Sequence, residues 1–116
     1  MLGYIAENRL SGLSATVQWS EVDGYRDRGA QFVDVRNRDE FATGSLPGAV
    51  NIPLDELRDR FHELRAAETI VSCQVGQRGH TAALLLNELG LETKNLDGGY
   101  ATWRSSPAFV EPVLVA

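Results

Sequence analysis

Thr69-Ile70-Val71-Ser72-Cys73-Gln74-Val75-Gly76-Gln77-Arg78-Gly79 is followed after one residue by Thr81-Ala82-Ala83-Leu84-Leu85-Leu86-Asn87-Glu88-Leu89-Gly90. The first four residues are a compact, β-prone run that reads as a buried strand. The final block is the strongest helix pattern in the chain, with Gly90 placed to close it. Between them, residues 74–79 are polar and punctuated by glycine, so they read as a loop. Strand, short loop and helix in that order are the building unit of a parallel sheet.

The same alternation extends outward. Upstream, Thr16-Val17-Gln18-Trp19 reads as a strand, and Ser20 as the N-cap of a helix that closes near Gly29. Gln31 to Val35 is a second strand, and Asn37 caps a short helix that ends at Gly44. Ala49 to Ile52 is a third strand, stopped by Pro53. From Pro53 to Leu64, Leu54, Leu57, Phe61 and Leu64 form one stripe, which predicts an amphipathic helix. Downstream of Gly90, Thr93 to Leu96 is the fifth strand, and a turn at Asp97-Gly98-Gly99 leads to a short helix over Tyr100 to Trp103. Strands and helices alternating in this way predict an α/β fold: a central parallel five-stranded sheet with helices on both faces.

With 116 residues the chain fits one domain. A hydrophobic content of 43% and a charged content of 23% suit a soluble globular protein. The net charge of −5 argues against sequence-independent binding to nucleic acid or to an anionic membrane, both of which need a basic face. One cysteine excludes an internal disulfide and a cysteine-rich zinc site. The two histidines, His62 and His80, lack the spacing of a metal motif. No apolar run reaches the ~18 residues of a membrane span, and Glu7, Asn8 and Arg9 interrupt any signal-peptide core. The expected compartment is the cytoplasm.

Cys73 stands at the C-terminal end of a strand, where parallel sheets carry their working groups. A tight loop turns backbone N–H groups toward one anion, and the helix that follows adds its positive end. Gly76 lets the loop curl, and Arg78 brings a permanent cation to it. These features favour a nucleophilic thiolate at Cys73. The competing reading is a buried thiol that closes a core strand. A structural thiol has no need of polar, flexible residues directly after it.

Three separated motifs resemble the rhodanese family, over roughly residues 16–104. Cys73-Gln74-Val75-Gly76-Gln77-Arg78 is similar to its active loop, C-x-x-G-x-R. Asp34-Val35-Arg36, Glu40-Phe41 and Gly44 through Pro53 resemble its D-V-R…E-F…G-H-I-P-G-A-x-N-I-P signature, with Ser45 in place of histidine. Leu96-Asp97-Gly98-Gly99 with Trp103 is similar to its L-x-G-G-x-x-x-W ending. The C-x4-R spacing of Cys73 and Arg78 is one residue shorter than in the phosphatases of this fold and suits a terminal sulfur atom. The leader Gly3 to Asn8, with Thr16 to Trp19, resembles the rhodanese domain of coenzyme A-disulfide reductase-like flavoproteins.

The resemblance implies a sulfurtransferase that carries sulfane sulfur as a persulfide on Cys73. Gln74, Val75, Gly76, Gln77 and Arg78 would form the loop, with Arg78 holding an anionic donor or ordering the loop. Arg36 would line the pocket and Asp34 would organise the loop. No metal or organic cofactor is expected within the chain. Expected partners are a small-molecule sulfur donor, a thiol acceptor and an upstream flavoprotein disulfide reductase domain. The division expected is a leader over residues 1–14, the rhodanese domain over 15–106 and a C-terminal tail over 107–116. The alternatives are a non-catalytic regulatory or docking module of the same fold and, more remotely, a phosphatase. His80 and His62 read as surface residues, and Trp19 and Trp103 as core packing.

Overall fold

The computed structural model describes residues 15–109, so the leader and most of the tail lie outside the described residues. The strands are β1 (Thr16–Val17), β2 (Gln31–Asp34), β3 (Val50–Asn51), β4 (Thr69–Ser72) and β5 (Thr93–Leu96). They form one sheet in the order β1-β5-β4-β2-β3, with every neighbouring pair parallel. The helices are α1 (Val22–Asp27), α2 (Arg38–Ala42), α3 (Leu57–Arg60), α4 (Gln77–Glu88) and α5 (Gly99–Arg104). This is the α/β architecture that the alternating pattern predicts.

Strand periodicity sorts the core into two layers. Val33, Val35, Val71 and Cys73 point to one face and pack with Leu57, Ala82, Ala83 and Leu86 from α3 and α4. Phe32, Ile70 and Leu96 point to the other, against Val22, Leu46, Tyr100 and Trp103. β4 lies between β5 and β2 and is buried along its whole length, as a central parallel strand should be. Each fully buried aliphatic side chain contributes roughly 1.5–3 kcal/mol. Among the described strands, the one that delivers Cys73 is alone in being buried at every residue.

Four local details depart from the sequence reading. The segment Leu54–Glu63 is not one continuous helix: α3 is flanked by 3-10 turns over Leu54–Glu56 and Phe61–Glu63. Its stripe is right, because Leu54, Phe61 and Leu64 pack beside buried Leu57. Leu54 to Leu57 and Phe61 to Leu64 are three-residue steps, which a 3-10 turn brings into line. Ser20 is not a cap; it lies inside a 3-10 turn, Trp19–Glu21, where Glu21 Oε1 accepts from the Gln18 N–H (2.8 Å). β1 and β3 are also shorter than predicted, with two residues each. Finally, α4 begins at Gln77, so Gln77 and Arg78 are its first turn rather than loop.

Candidate active site

Cys73 directly follows β4, and its sulfur is held by the chain just beyond it. The Gly76 and Gly79 N–H groups both donate to Cys73 Sγ, at 3.0 and 3.2 Å. Gly76 caps α4 with a φ of 109°, a left-handed conformation that glycine tolerates best. Gly79 sits in the first turn, where helix N–H groups have no partner within the helix. The sulfur thus occupies the position of a capping anion at the positive end of a twelve-residue helix. Cys73 is only 1% exposed, so the expectation of a buried thiol and that of an amide-cradled one meet in the same atom.

The loop holds this shape because its carbonyls are engaged on the opposite side. Tyr100 N–H donates to the Cys73 carbonyl (2.7 Å) and Ala101 N–H to that of Gln74 (3.0 Å). Both donors belong to the first turn of α5. Asn95 Nδ2 donates to the Gly76 carbonyl (2.9 Å). With the carbonyls turned outward, the N–H groups are left facing the sulfur. Gly99 makes the contact with α5 possible: a Cβ there would lie 2.5 Å from the Cys73 carbonyl oxygen and 2.6 Å from that of Gln74. A Cβ on Gly79 would collide with Asn95 Oδ1, an atom buried without a hydrogen-bond partner among the described residues.

Two arginines come close to the loop, and each meets a carboxylate. Arg36 is buried with Asp34, whose carboxylate accepts from its Nε and Nη2, the latter at 2.7 Å. Arg36 also donates to the Gly44 carbonyl (2.6 Å) and to Gln74 Oε1 (3.2 Å), and its guanidinium lies over the Tyr100 ring. Asp34 and Arg36 thus form a buried ion pair at the end of β2, and from it Arg36 reaches Gln74 in the loop. Arg78 is not an open cation, as a donor-holding role would require. Its Nη1 and Nη2 bind Glu40 Oε1 and Oε2 at 2.8 and 3.0 Å. Glu40 Oε1 also accepts from the Asn37 N–H at the start of α2 (3.0 Å), which fixes the carboxylate in place. The Arg78 hydrogen bonds hold the Glu40 pKa down to about 2.

A cleft of about 480 Å³ adjoins the loop, lined by Arg36, Thr43, Gln74, Tyr100, Arg104 and Phe109 among others. Side chains here differ in exposure: in the loop Val75 stands out and is 61% exposed while Gln74 is half-buried, and Gln77 at the start of α4 is exposed. His62 is exposed and Trp103 is buried in the core, as expected; Trp19 and His80 are half-buried. Reasoning from sequence did not single out Glu40, Asn95, Gly99 or Arg104 as residues of the site. Asn37 and Glu40 do carry the spacing of a helix capping box, which marks Glu40 as fixed. Nothing in the sequence pairs it with Arg78. Among the described residues no group of three or more His, Cys, Asp or Glu side chains is placed to hold a metal.

Residues 18–106 match the family model for the rhodanese-like domain. Human thiosulfate:glutathione sulfurtransferase is 37% identical over 90 residues, covering 64% of this chain and 78% of that protein. The uncharacterized protein YqhL of Bacillus subtilis strain 168 is 42% identical over 82 residues, covering 69% of this chain and 64% of that protein. The crystal structure of reduced Bacillus anthracis CoADR-RHD superposes with a TM-score of 0.77 at 43% identity, covering 90% of this chain and 19% of that one. The chain therefore spans less than two thirds of YqhL and about a fifth of the Bacillus anthracis chain. The sheet, the cysteine loop and these similarities place the chain in the rhodanese-like family, among sulfurtransferase relatives.

Proposed function

We propose that this domain is a sulfurtransferase in which Cys73 carries one sulfane sulfur as a persulfide. The observation that carries the reading is the cradle of the Gly76 and Gly79 N–H groups on Cys73 Sγ, at the N-terminus of α4. Donors fixed in advance around an anion stabilise it without reorganising, which suits both a thiolate and a persulfide.

The reaction is a double displacement. The Cys73 thiolate attacks the terminal sulfur of a donor, the donor's own S–S bond breaks, and the remainder leaves with the electron pair. With thiosulfate the leaving group is sulfite; with a persulfide it is a thiolate. An acceptor thiolate then attacks the terminal sulfur of the Cys73 persulfide, whose S–S bond breaks, and Cys73 returns as thiolate. Gln74, Val75 and Gly76 shape the loop, Gln77 and Arg78 open the helix behind it, Arg36 and Asp34 brace Gln74, and Glu40 fixes Arg78. The charges of Arg36 and Arg78 are offset by carboxylates, which favours slender donors whose charge is spread along a sulfur chain or kept low, such as polysulfides or small persulfides, over the compact thiosulfate dianion.

Similarity to part of CoADR-RHD supports a disulfide reductase as a working partner, in the same chain or apart from it. The cytoplasm remains the proposed compartment; among the described residues no helix is long and apolar enough to cross a membrane. The test is intact-protein and peptide mass spectrometry after exposure to polysulfide or thiosulfate. A gain of about 32 Da on Cys73 that a thiol removes is expected. Absence of that adduct, or its presence in Cys73→Ser, would overturn the assignment and favour the docking module.

A further inference from the structure

Among the described residues three guanidinium groups reach the cleft beside the loop or the loop itself, and two of them are matched by carboxylates. Arg36 is closed by Asp34 and Arg78 by Glu40. Arg104, at the end of α5, lines the cleft with its side chain exposed and its Cζ 5.5 Å from the Phe109 ring centroid. Among the described residues it has no ion-pair partner. The first turn of α5 is bonded to the loop through Tyr100 and Ala101. Arg104 is one helical turn further along, about 6 Å at the ~1.5 Å rise of each residue. Gln74, next to Cys73, lies in the same cleft.

We infer that Arg104 is a specificity residue that receives the anionic tail of a small thiol substrate while the sulfur of that substrate reacts at Cys73. The inference rests on the persulfide reading of Cys73. The substrate class is a low-molecular-weight thiol, or its persulfide, that carries a carboxylate or a similar anion several bonds from the sulfur. Thiosulfate, with its charges next to the reacting atom, is too compact to engage both ends. Tyr100 and Phe109 supply an apolar wall for the stem, and Thr43 and Gln74 supply polar groups along it. In the acceptor step, the incoming thiolate attacks the terminal sulfur of the Cys73 persulfide. The Cys73 S–S bond breaks, Cys73 leaves as thiolate, and the acceptor departs as its own persulfide. Arg104 takes no part in the bond changes and acts on binding alone.

The test compares glutathione with its monoethyl ester as acceptors, two thiols of nearly equal size that differ by one carboxylate. Cys73 is charged with polysulfide, and kcat/KM is measured for each acceptor. The ratio of glutathione to ester is expected to fall about threefold to fivefold in Arg104→Ala, the size of an exposed charge pair. It should fall further in Arg104→Glu and recover in Arg104→Lys, with the change in KM rather than kcat. An unchanged ratio, or equal losses for both thiols, would overturn the inference and leave sulfur transfer standing. If Cys73 gains no sulfur at all, the persulfide reading fails first and the inference falls with it.

Discussion

The carboxylate of Glu40 and the guanidinium of Arg78 meet edge to edge, with two N–O contacts of 2.8 and 3.0 Å between α2 and the first turn of α4. Bidentate pairing of this kind is geometrically specific, and it cancels the charge that Arg78 brings to the loop. Glu40→Gln keeps an oxygen for the Asn37 N–H and removes the negative charge. The expected result is a rise of about twofold to fivefold in kcat/KM for thiosulfate relative to polysulfide, because the dianion then meets an open cation. Steady-state rates with both donors at matched ionic strength decide it. An unchanged ratio removes Arg78 from any electrostatic role in donor choice.

The same pair sets a pH dependence whose sign follows from Glu40. Its pKa in the folded chain is about 2, held down chiefly by Arg78, against ~4.3 for an unperturbed glutamate. A lowered carboxylate pKa contributes stability that is complete above the unfolded value and is lost as pH falls through the folded one. Both side chains are about one-third exposed, so the contribution is at most about 1 kcal/mol. The stability gap between wild type and Glu40→Gln should hold between pH 7 and ~5, narrow below ~4 and close as pH falls through ~2. Urea titrations at four pH values measure it, and a gap that does not narrow between pH 5 and pH 2 contradicts the assignment.

Gly99→Ala tests the anchoring of the loop. The new Cβ would stand within 2.7 Å of three atoms of Cys73 and Gln74, at a φ of 66° that strains any residue but glycine. All three are backbone atoms and have little room to yield. We expect a loss of about 2 kcal/mol or more by denaturant unfolding. Sulfur transfer should fall even under conditions where the variant remains folded, because the Tyr100 and Ala101 bonds to the loop carbonyls would be displaced. Wild-type activity in a folded Gly99→Ala protein would show that α5 does not shape the cradle.

Cys73→Ser should abolish sulfur transfer and leave the fold in place. Serine is close in size and gives the Gly76 and Gly79 N–H groups an oxygen to bind, so the expected stability change is about 1 kcal/mol or less. Circular dichroism, thermal unfolding and the persulfide mass assay read both parts. Retained transfer would end the assignment; gross unfolding would return Cys73 to a purely structural role.

Much of this was legible in the chain because each signal is local. Val33 and Val71 face one layer while Phe32 and Ile70 face the other, an alternation readable at single-residue resolution. The position of Cys73 after a central strand follows from the same pattern. The helical stripe through Leu54, Leu57, Phe61 and Leu64 gave the buried face but not the winding, since three-residue and four-residue steps suit 3-10 and α turns alike. What sequence spacing does not show is which distant side chains meet. Glu40 lies thirty-eight residues from Arg78 and Asn95 nineteen from Gly76. The charge of Arg78 is plain in the chain, whereas its cancellation appears only once α2 is packed beside α4.

The hydrogen bonds from Tyr100 and Ala101 to the carbonyls of Cys73 and Gln74 also impose an order on assembly. A ribosome delivers β4, the loop and α4 well before α5, so for a time the nascent chain displays its thiol on a loop without its backing. During that interval the loop lacks the two hydrogen bonds from α5 that hold the carbonyls of Cys73 and Gln74. Completion of the last described helix is therefore the step that fixes those carbonyls, and with them the amides on Cys73 Sγ.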